Sequence, residues 1–215
     1  MKKIAVVLSG NGVFDGTEIH EATLTLYSII KNGATYEIFA PNIDQHHVIN
    51  HITGEEMPEK RNVLVESARV ARGKITDLAD FKAKNYDGII FPGGFGVAKN
   101  LSSFAFDGTD CTINFDVEKA IRNMVEQKKP IGALCIAPVL FAKLLENIDV
   151  TIGQDKDTSE AINAMGANHK ETTHGEVVID KKYNAVTTPC YMLDANIGQI
   201  GDGANNVVKA LLNLI

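Results

Sequence analysis

The sequence is poor in cysteine, has no excess of basic charge and contains no long apolar run. Its three cysteines (Cys111, Cys135 and Cys190) are odd in number and widely spaced, which excludes a disulfide framework and favours a reducing compartment. The formal net charge of −6 gives no basic patch for nucleic acid. No segment approaches the roughly 20 apolar residues that cross a bilayer. We therefore expect no nucleic-acid partner and no membrane partner.

The first residues do not have the pattern of a secretory signal. The apolar run Ile4–Leu8 after Lys2 and Lys3 is short, and no cleavage site follows it. This run has the composition of a buried first strand instead. Together with the unpaired cysteines, it predicts a cytoplasmic protein.

Apolar runs and helical periodicity alternate along the whole chain. Hydrophobic residues make up 45% and charged residues 22%, as in ordinary globular proteins. The apolar runs predict strands at Ile4–Leu8, Thr35–Ala40, Asp87–Phe91, Ile131–Leu134 and Val150–Gly153, and a hairpin from Val177–Ile179 and Ala185–Thr187. The periodicity predicts helices at residues 17–32, Glu59–Arg72, Leu78–Lys84, 114–127, Ile136–Leu145, Ser159–Met165 and Ala204–Ile215.

This alternation predicts an α/β fold, a three-layer doubly wound sandwich with a mostly parallel sheet. With no linker or repeat, residues 1–215 are interpreted as a single domain. In such folds, reactive groups gather at the carboxyl ends of the strands. Three loops are therefore expected to meet, namely those after Leu8, after Phe91 and after Leu134.

Cys135 stands at the predicted corner between a buried strand and a helix. A side chain at such a corner projects above the sheet, near unpaired backbone N–H groups that favour a thiolate. A small buried cysteine that fills core space is an equally simple interpretation of this segment alone. Glu18 and Glu21 lie one turn apart on the first helix, and one of them is expected near the thiol as a proton donor and acceptor.

Two further patterns are weaker. Pro92–Gly96 ends a buried strand and suits either a tight turn or a turn that lines a pocket, but it lacks the spacing of a dinucleotide fingerprint. His47 and His51 have the spacing of metal ligands on a helix, but their segment (residues 42–58) has weak helical patterning and no third ligand. We expect a surface excursion there, with no metal and no cofactor.

Several runs resemble the ThiJ/PfpI superfamily, the amidotransferase-like branch of the flavodoxin-like folds. They resemble most the ElbB glyoxalase family, which comprises isoprenoid biosynthesis proteins with an amidotransferase-like domain. The resemblance covers nearly the whole chain and is carried by Ser9–Ala22, Val48–Glu55, Pro92–Leu101, Cys135–Pro138 and Thr187–Met192.

The resemblance implies a cysteine-dependent glyoxalase of the hydro-lyase type, which acts without glutathione on glyoxal or methylglyoxal, or the related deglycation. It implies Cys135 as nucleophile, Glu21 as its acid–base partner with Glu18 as fallback, and the backbone amides of Gly94 and Ile136 as oxyanion donors. It also implies a small aldehyde substrate and a homodimer. Many superfamily members place a histidine after the elbow, but no histidine occurs here between Cys135 and His169.

Two other functions are considered. A glutamine amidotransferase needs a Cys-His-Glu triad, for which His174 and Glu176 have a superficial H-x-E pattern. Its elbow usually has a glycine two residues after the cysteine, where this chain has Ala137. A redox sensor would need only a reactive Cys135 that is reversibly oxidised.

Overall fold

The computed structural model describes all 215 residues and contains nine strands and seven α-helices. The strands are β1 (Lys3–Val7), β2 (Thr35–Ala40), β3 (Thr76–Asp77), β4 (Gly88–Phe91), β5 (Ile131–Leu134), β6 (Asp149–Val150), β7 (Asn168–His169), β8 (Val178–Asp180) and β9 (Ala185–Thr188). The helices are α1 (Ile19–Lys31), α2 (Val63–Val70), α3 (Phe104–Asp107), α4 (Phe115–Glu126), α5 (Pro138–Leu144), α6 (Lys156–Ala164) and α7 (Ile197–Asn213).

The main sheet has seven strands in the order β3-β2-β1-β4-β5-β9-β8. Every pairing in it is parallel except the hairpin of β8 and β9, which is antiparallel. Strands β6 and β7 form a separate parallel pair. The predicted α/β fold with a mostly parallel sheet is therefore confirmed.

Each face of the sheet has its own hydrophobic core. Along β1, Ala5 and Val7 belong to the core that contains side chains of α4, α5 and α6, whereas Ile4 and Val6 belong to the core under α1, α2 and α7. This alternation follows from the period of two in a strand. Helices on both faces produce the expected three layers.

Among the helix predictions that need correction, three differ most from the structure. Helix α7 begins at Ile197 rather than Ala204, because Asn196 and Gln199 form a reciprocal capping box. The segment Leu78–Lys84 forms two 3₁₀ turns, Leu78–Asp80 and Ala83–Asn85, rather than one helix. Helix α2 begins only at Val63, after the side chain of Asn62 accepts a hydrogen bond from the N–H of Val65.

Residues 42–58 contain no helix. One isolated bridge, Asp44–Asn62, joins them to the following segment, and another, Ile49–Glu56, lies within them. The helical spacing of His47 and His51 therefore does not place them on one helix face. Across the structure, no helix combines the length and apolar character that a bilayer crossing requires.

Candidate active site

Cys135 follows the last residue of β5, in a turn where its backbone has a φ of 59°. This left-handed conformation is uncommon for a residue with a Cβ atom and is the strained geometry of a nucleophile elbow. The Cys135 N–H donates to the carbonyl oxygen of Thr188 at 2.9 Å, which fixes the turn to β9. The side chain is 7% exposed. The turn therefore holds the sulfur in one place at the carboxyl end of the sheet.

The helix after this turn begins later than the sequence predicts. Pro138 is the first residue of α5 and Ala137 is its N-cap, so Cys135 precedes the helix rather than starting it. The backbone N–H groups of Ile136 and Gly94 donate to the sulfur and lower the pKa of the thiol. The predicted oxyanion donors thus lie next to the sulfur of the predicted nucleophile.

Glu21 lies on α1 and is completely buried beside Cys135. Its Oε2 accepts a hydrogen bond from the N–H of Gly93 at 2.8 Å, and its Oε1 accepts one from the N–H of Tyr191 at 3.2 Å. The carboxyl group also forms a hydrogen bond with the Cys135 thiol. Three segments of the chain therefore meet at this carboxyl group.

Glu18 has a different position from Glu21. Its side chain caps α1 by accepting a hydrogen bond from the N–H of Glu21 at 2.7 Å. Burial is the main cause that raises the pKa of Glu21, and the charge of Glu18 is the second. Glu18 therefore affects the site through the helix cap and through electrostatics, whereas Glu21 contacts the sulfur.

The pKa of Glu21 agrees with its predicted role as a proton donor and acceptor, whereas the pKa of Cys135 contradicts a prediction from the sequence. Burial, assisted by the charge of Glu18, raises the pKa of Glu21 to about 8, so that this carboxyl group holds a proton at neutral pH. Burial and the neighbouring Glu21 also raise the pKa of Cys135 well above its usual range. The helix start predicts a thiol with a depressed pKa, and this prediction is wrong, because the effect of burial on the pKa of Cys135 outweighs that of the N–H donors.

The glycine turn after β4 packs against the loop after β1. An added Cβ at Gly93 would lie 2.4 Å from the Cβ of Cys135 and 2.7 Å from Oε2 of Glu21. Gly94 has a φ of 99°, and a Cβ there would lie 2.4 Å from the carbonyl oxygen of Gly16. The two glycines allow the main chain to approach both reactive side chains.

A cavity of about 370 Å³ opens beside Cys135. Nine of its twelve lining residues are hydrophobic, among them Phe95, Phe104, Ile136 and Met192. Sequence reasoning did not find these walls, because they come from separate loops that only the folded chain brings together. The cavity gives the sulfur of Cys135 its access to solvent.

Sequence reasoning also missed a histidine near the site. The ring Nδ1 of His20 lies 2.8 Å from the hydroxyl oxygen of Tyr191, and Tyr191 lines the cavity. Tyr191 belongs to Thr187–Met192, one of the runs that carried the resemblance, and this run was the available signal. His20 belongs to α1 and to Ser9–Ala22, another run that carried the resemblance, but no sequence pattern placed it beside Tyr191.

The other candidate histidines lie elsewhere. His174 is exposed in a turn and does not line the cavity. Nε2 of His51 accepts a hydrogen bond from the N–H of Phe14, and the His46 ring stacks on Phe106. No group of three or more His, Cys, Asp or Glu side chains is placed to hold a metal ion. His174 is therefore not assembled with Cys135 into a triad.

Comparison with known proteins agrees with this geometry. Residues 3–194 match the DJ-1/PfpI family. The chain belongs to the DJ-1/PfpI family. The resemblance to the ThiJ/PfpI superfamily is thereby confirmed.

The similarity of this DJ-1/PfpI chain to its relatives covers nearly its full length. It is 49% identical to an ES1 protein homolog, mitochondrial, from Rattus norvegicus, over 99% of this chain and 84% of that protein. It is 49% identical to the human glutamine amidotransferase-like class 1 domain-containing protein 3, mitochondrial, over 99% and 83%. A crystal structure of an isoprenoid biosynthesis protein with amidotransferase-like domain from Ehrlichia chaffeensis is 34% identical, with a TM-score of 0.92 over 99% of this chain and 100% of that one.

These relatives correct the expected location. The rat, human and zebrafish proteins are named as mitochondrial, so the prediction of a cytoplasmic protein is wrong. That prediction rested on free cysteines, which indicate a reducing environment but do not identify the compartment. The cysteine pattern therefore predicts the redox environment of the protein and not its location.

We expect Cys135 to be the first cysteine of this family member to react with iodoacetamide. All three cysteines are buried, but only Cys135 lines the cavity and receives N–H groups at its sulfur. Burial raises the pKa of all three thiols, so access to the sulfur through the cavity decides the order of reaction. Brief labelling followed by peptide mass mapping measures the order. Faster labelling of Cys111 or Cys190 would contradict the assignment of Cys135 as the nucleophile.

Glu21 is also expected to make stability depend on pH. Its pKa is 4.5 in an ordinary environment and about 8 in the folded protein, so between these values the folded state keeps a proton that the unfolded state has lost. The contribution is therefore most favourable below pH 4.5 and declines as pH rises towards 8, by up to about 1.4 kcal/mol per pH unit.

Urea unfolding of wild type and Glu21→Gln between pH 5 and 8 measures this decline, since the difference between the two proteins isolates the one carboxyl group. The variant should lack the decline that the wild type shows. Equal pH slopes would mean that Glu21 is not protonated in the folded protein.

Proposed function

We propose that this protein is a glutathione-independent glyoxalase that converts glyoxal, and related 2-oxoaldehydes, to 2-hydroxy acids. The observation that carries the proposal is the contact between the Cys135 thiol and a fully buried Glu21 whose pKa is about 8. Conversion of an oxoaldehyde to a hydroxy acid requires a nucleophile and one group that gives and takes protons repeatedly. A group with a pKa near the operating pH does this best.

The proposed reaction begins with addition of the thiol to the aldehyde. The bond between Sγ of Cys135 and the aldehyde carbon forms, the carbonyl electrons move to oxygen, and the thiol proton goes to Glu21 in its ionised form, which is the minor form at pH values below its pKa of about 8. The N–H groups of Gly94 and Ile136 stabilise the charge on sulfur and on the new oxyanion. Glu21 then returns its proton to that oxygen, which gives a neutral thiohemiacetal.

The second stage moves one proton between adjacent carbons. The Glu21 carboxylate removes the proton from the carbon that carries sulfur, and the electron pair moves to the neighbouring carbonyl oxygen, which forms an enediolate. Protonated Glu21 delivers this proton to the neighbouring carbon, while the hydroxyl proton of the thiohemiacetal moves to the neighbouring oxygen, which gives a 2-hydroxy thioester of Cys135. Water then cleaves the thioester, releasing the hydroxy acid and restoring the thiol. Atoms balance with water as the only co-reactant, and neither an oxidant nor a reductant is consumed.

The main competing function is a glutamine amidotransferase, a term that appears in the name of the human relative. A glutaminase releases ammonia through a histidine base that contacts its cysteine. Here the group that contacts Cys135 is a protonated carboxyl, and His174 is exposed away from the cavity. The site geometry therefore favours proton shuttling on an aldehyde over amide hydrolysis.

Turnover assays with glyoxal, methylglyoxal and glutamine test the proposal. We expect the wild type to form glycolate from glyoxal, Cys135→Ser to lose this activity, and the matched variant Cys111→Ser to keep it. His174→Ala should also keep it, because the side chain is not at the thiol. Release of ammonia from glutamine, together with collapse of both activities in His174→Ala, would establish the amidotransferase instead. Reversible oxidation of Cys135 without aldehyde turnover would leave only a redox role.

A further inference from the structure

The cavity beside Cys135 is larger and more apolar than glyoxal requires. Its volume of about 370 Å³ falls within the range of about 300–1,000 Å³ that is typical of sites for larger ligands. Glyoxal has four non-hydrogen atoms and no apolar group. After glyoxal occupies the reactive end, the greater part of the cavity remains unused.

The two ends of the cavity differ in chemistry. At the reactive end lie the sulfur of Cys135 and the N–H donors of Gly94 and Ile136. The remaining wall is formed mainly by carbon atoms of aromatic and aliphatic side chains, namely Val13, Phe95, Ala98, Phe104 and Met192. A ligand that fills both ends therefore has a polar carbonyl end and an apolar body.

The charges in the cavity wall disfavour anionic ligands. No lysine, arginine or histidine lines it, and Asp155 is the one acidic side chain in its wall. The Asp155 side chain accepts a hydrogen bond from the N–H of Thr158 as the cap of α6, and this bond favours the ionised carboxylate. A carboxylate or phosphate on the ligand would find no cation there and would be repelled by Asp155.

From this wall we infer that the substrates are neutral 2-oxoaldehydes that carry an aryl or branched-alkyl substituent, bound with that substituent between Phe104 and Met192. The inference rests on the proposed glyoxalase function and specifies its substrate class. The reaction is R–CO–CHO + H₂O → R–CHOH–COO⁻ + H⁺, in which one carbon is oxidised and its neighbour is reduced. No external oxidant or reductant takes part.

Phenylglyoxal is the probe for this class. We expect its kcat/KM to exceed that of glyoxal by at least about 10-fold, since even one methylene in an apolar pocket changes kcat/KM by roughly 10–200-fold. Mandelate and glycolate are quantified by chromatography from initial rates, before phenylglyoxal modifies surface arginines.

The variant Phe104→Ala tests whether the apolar wall causes the preference. It should lower the ratio of kcat/KM for phenylglyoxal over glyoxal by about 10-fold, through a raised KM for phenylglyoxal. Phe104→Leu, which keeps much of the side-chain volume, should give a ratio between those of the wild type and Phe104→Ala. It replaces Phe104→Ala in this test if the alanine variant does not fold. Phe106→Ala is the matched control, because Phe106 lies on the same short helix but outside the cavity wall. Its ratio should equal that of the wild type.

A charged probe tests the role of Asp155. Phenylglyoxal with a carboxylate on its ring should have a lower kcat/KM than phenylglyoxal itself. Asp155→Asn should reduce this difference in kcat/KM. Asparagine caps a helix as well as aspartate does, so the variant removes the charge and keeps the cap. An unchanged difference in kcat/KM in Asp155→Asn would show that Asp155 does not repel anionic substrates.

The outcomes separate the two proposals. Turnover of glyoxal with no preference for phenylglyoxal, or a preference that Phe104→Ala and Phe104→Leu leave unchanged, would overturn the substrate class while the glyoxalase function stands. Absence of turnover with every oxoaldehyde would overturn both. A phenylglyoxal preference that falls in the order wild type, Phe104→Leu, Phe104→Ala would support the inference.

Discussion

Glu21→Gln is expected to lower kcat/KM for glyoxal by roughly 10²–10⁴-fold, which is the usual contribution of a positioned acid–base group. Glutamine occupies nearly the same volume and can still accept a hydrogen bond from the N–H of Gly93 or of Tyr191. It cannot take the thiol proton or transfer a proton between carbons. Steady-state kinetics with glyoxal measure the loss, and circular dichroism shows whether the variant remains folded.

Glu18→Gln is the matched control for Glu21→Gln. Glu18 lies one turn away on the same chain, caps α1 and does not contact the sulfur. The glutamine oxygen can still accept the N–H of Glu21, so most turnover should remain. If Glu18→Gln were the inactive variant and Glu21→Gln the active one, the assignment of the acid–base group would be reversed.

The pH profile gives an independent readout of the same pair. Because the thiol gives its proton to the ionised form of Glu21, the wild-type rate should rise with pH through about 8. The charge of Glu18 is one cause of this raised pKa, so Glu18→Gln should shift the rise to lower pH. A merely structural role for Glu18 would change the rate without moving the profile.

The sheet could be predicted from the sequence more completely than the helices. Buried parallel strands appear as apolar runs, and Thr35–Ala40 and Ile131–Leu134 are observed with the predicted bounds. The start of α7 could not be read from periodicity, because Gly198, Gly201 and Gly203 interrupt the apolar pattern of its first turns. Its signal was the cap pair Asn196 and Gln199, which identifies a helix start without any periodicity.

The candidate site shows a different limit. The position of Cys135 followed from local sequence, whereas the choice of Glu21 over Glu18 came from the family resemblance. The pKa of the thiol could not be predicted, because it depends on burial by β5, β9 and α1 together, and a sequence shows none of these distances. The cavity wall was missed for the same reason, since Phe95, Phe104 and Met192 are distant in sequence.

Gly93→Ala is expected to abolish aldehyde turnover, with a loss of at least roughly 10²-fold, since misplacement of reacting groups by about 1 Å has that effect. The added Cβ would lie 2.4 Å from the Cβ of Cys135 and 2.7 Å from Oε2 of Glu21, so that both groups must move. Crowding of this kind in a packed interior costs about 1–3 kcal/mol of stability, which thermal unfolding would detect.

Gly201→Ala separates this local effect from a general effect of replacing glycine. The nearest neighbours of its added Cβ are the methyl groups of Leu24 at 3.9 and 4.0 Å, an ordinary contact within α7. Alanine favours a helix over glycine by about 1 kcal/mol, so this variant should be slightly more stable than the wild type and equally active. Because Gly93 has no left-handed φ, any loss in Gly93→Ala arises from contact with the reactive pair and not from backbone strain. Wild-type turnover by Gly93→Ala would therefore mean that Cys135 and Glu21 do not carry the reaction.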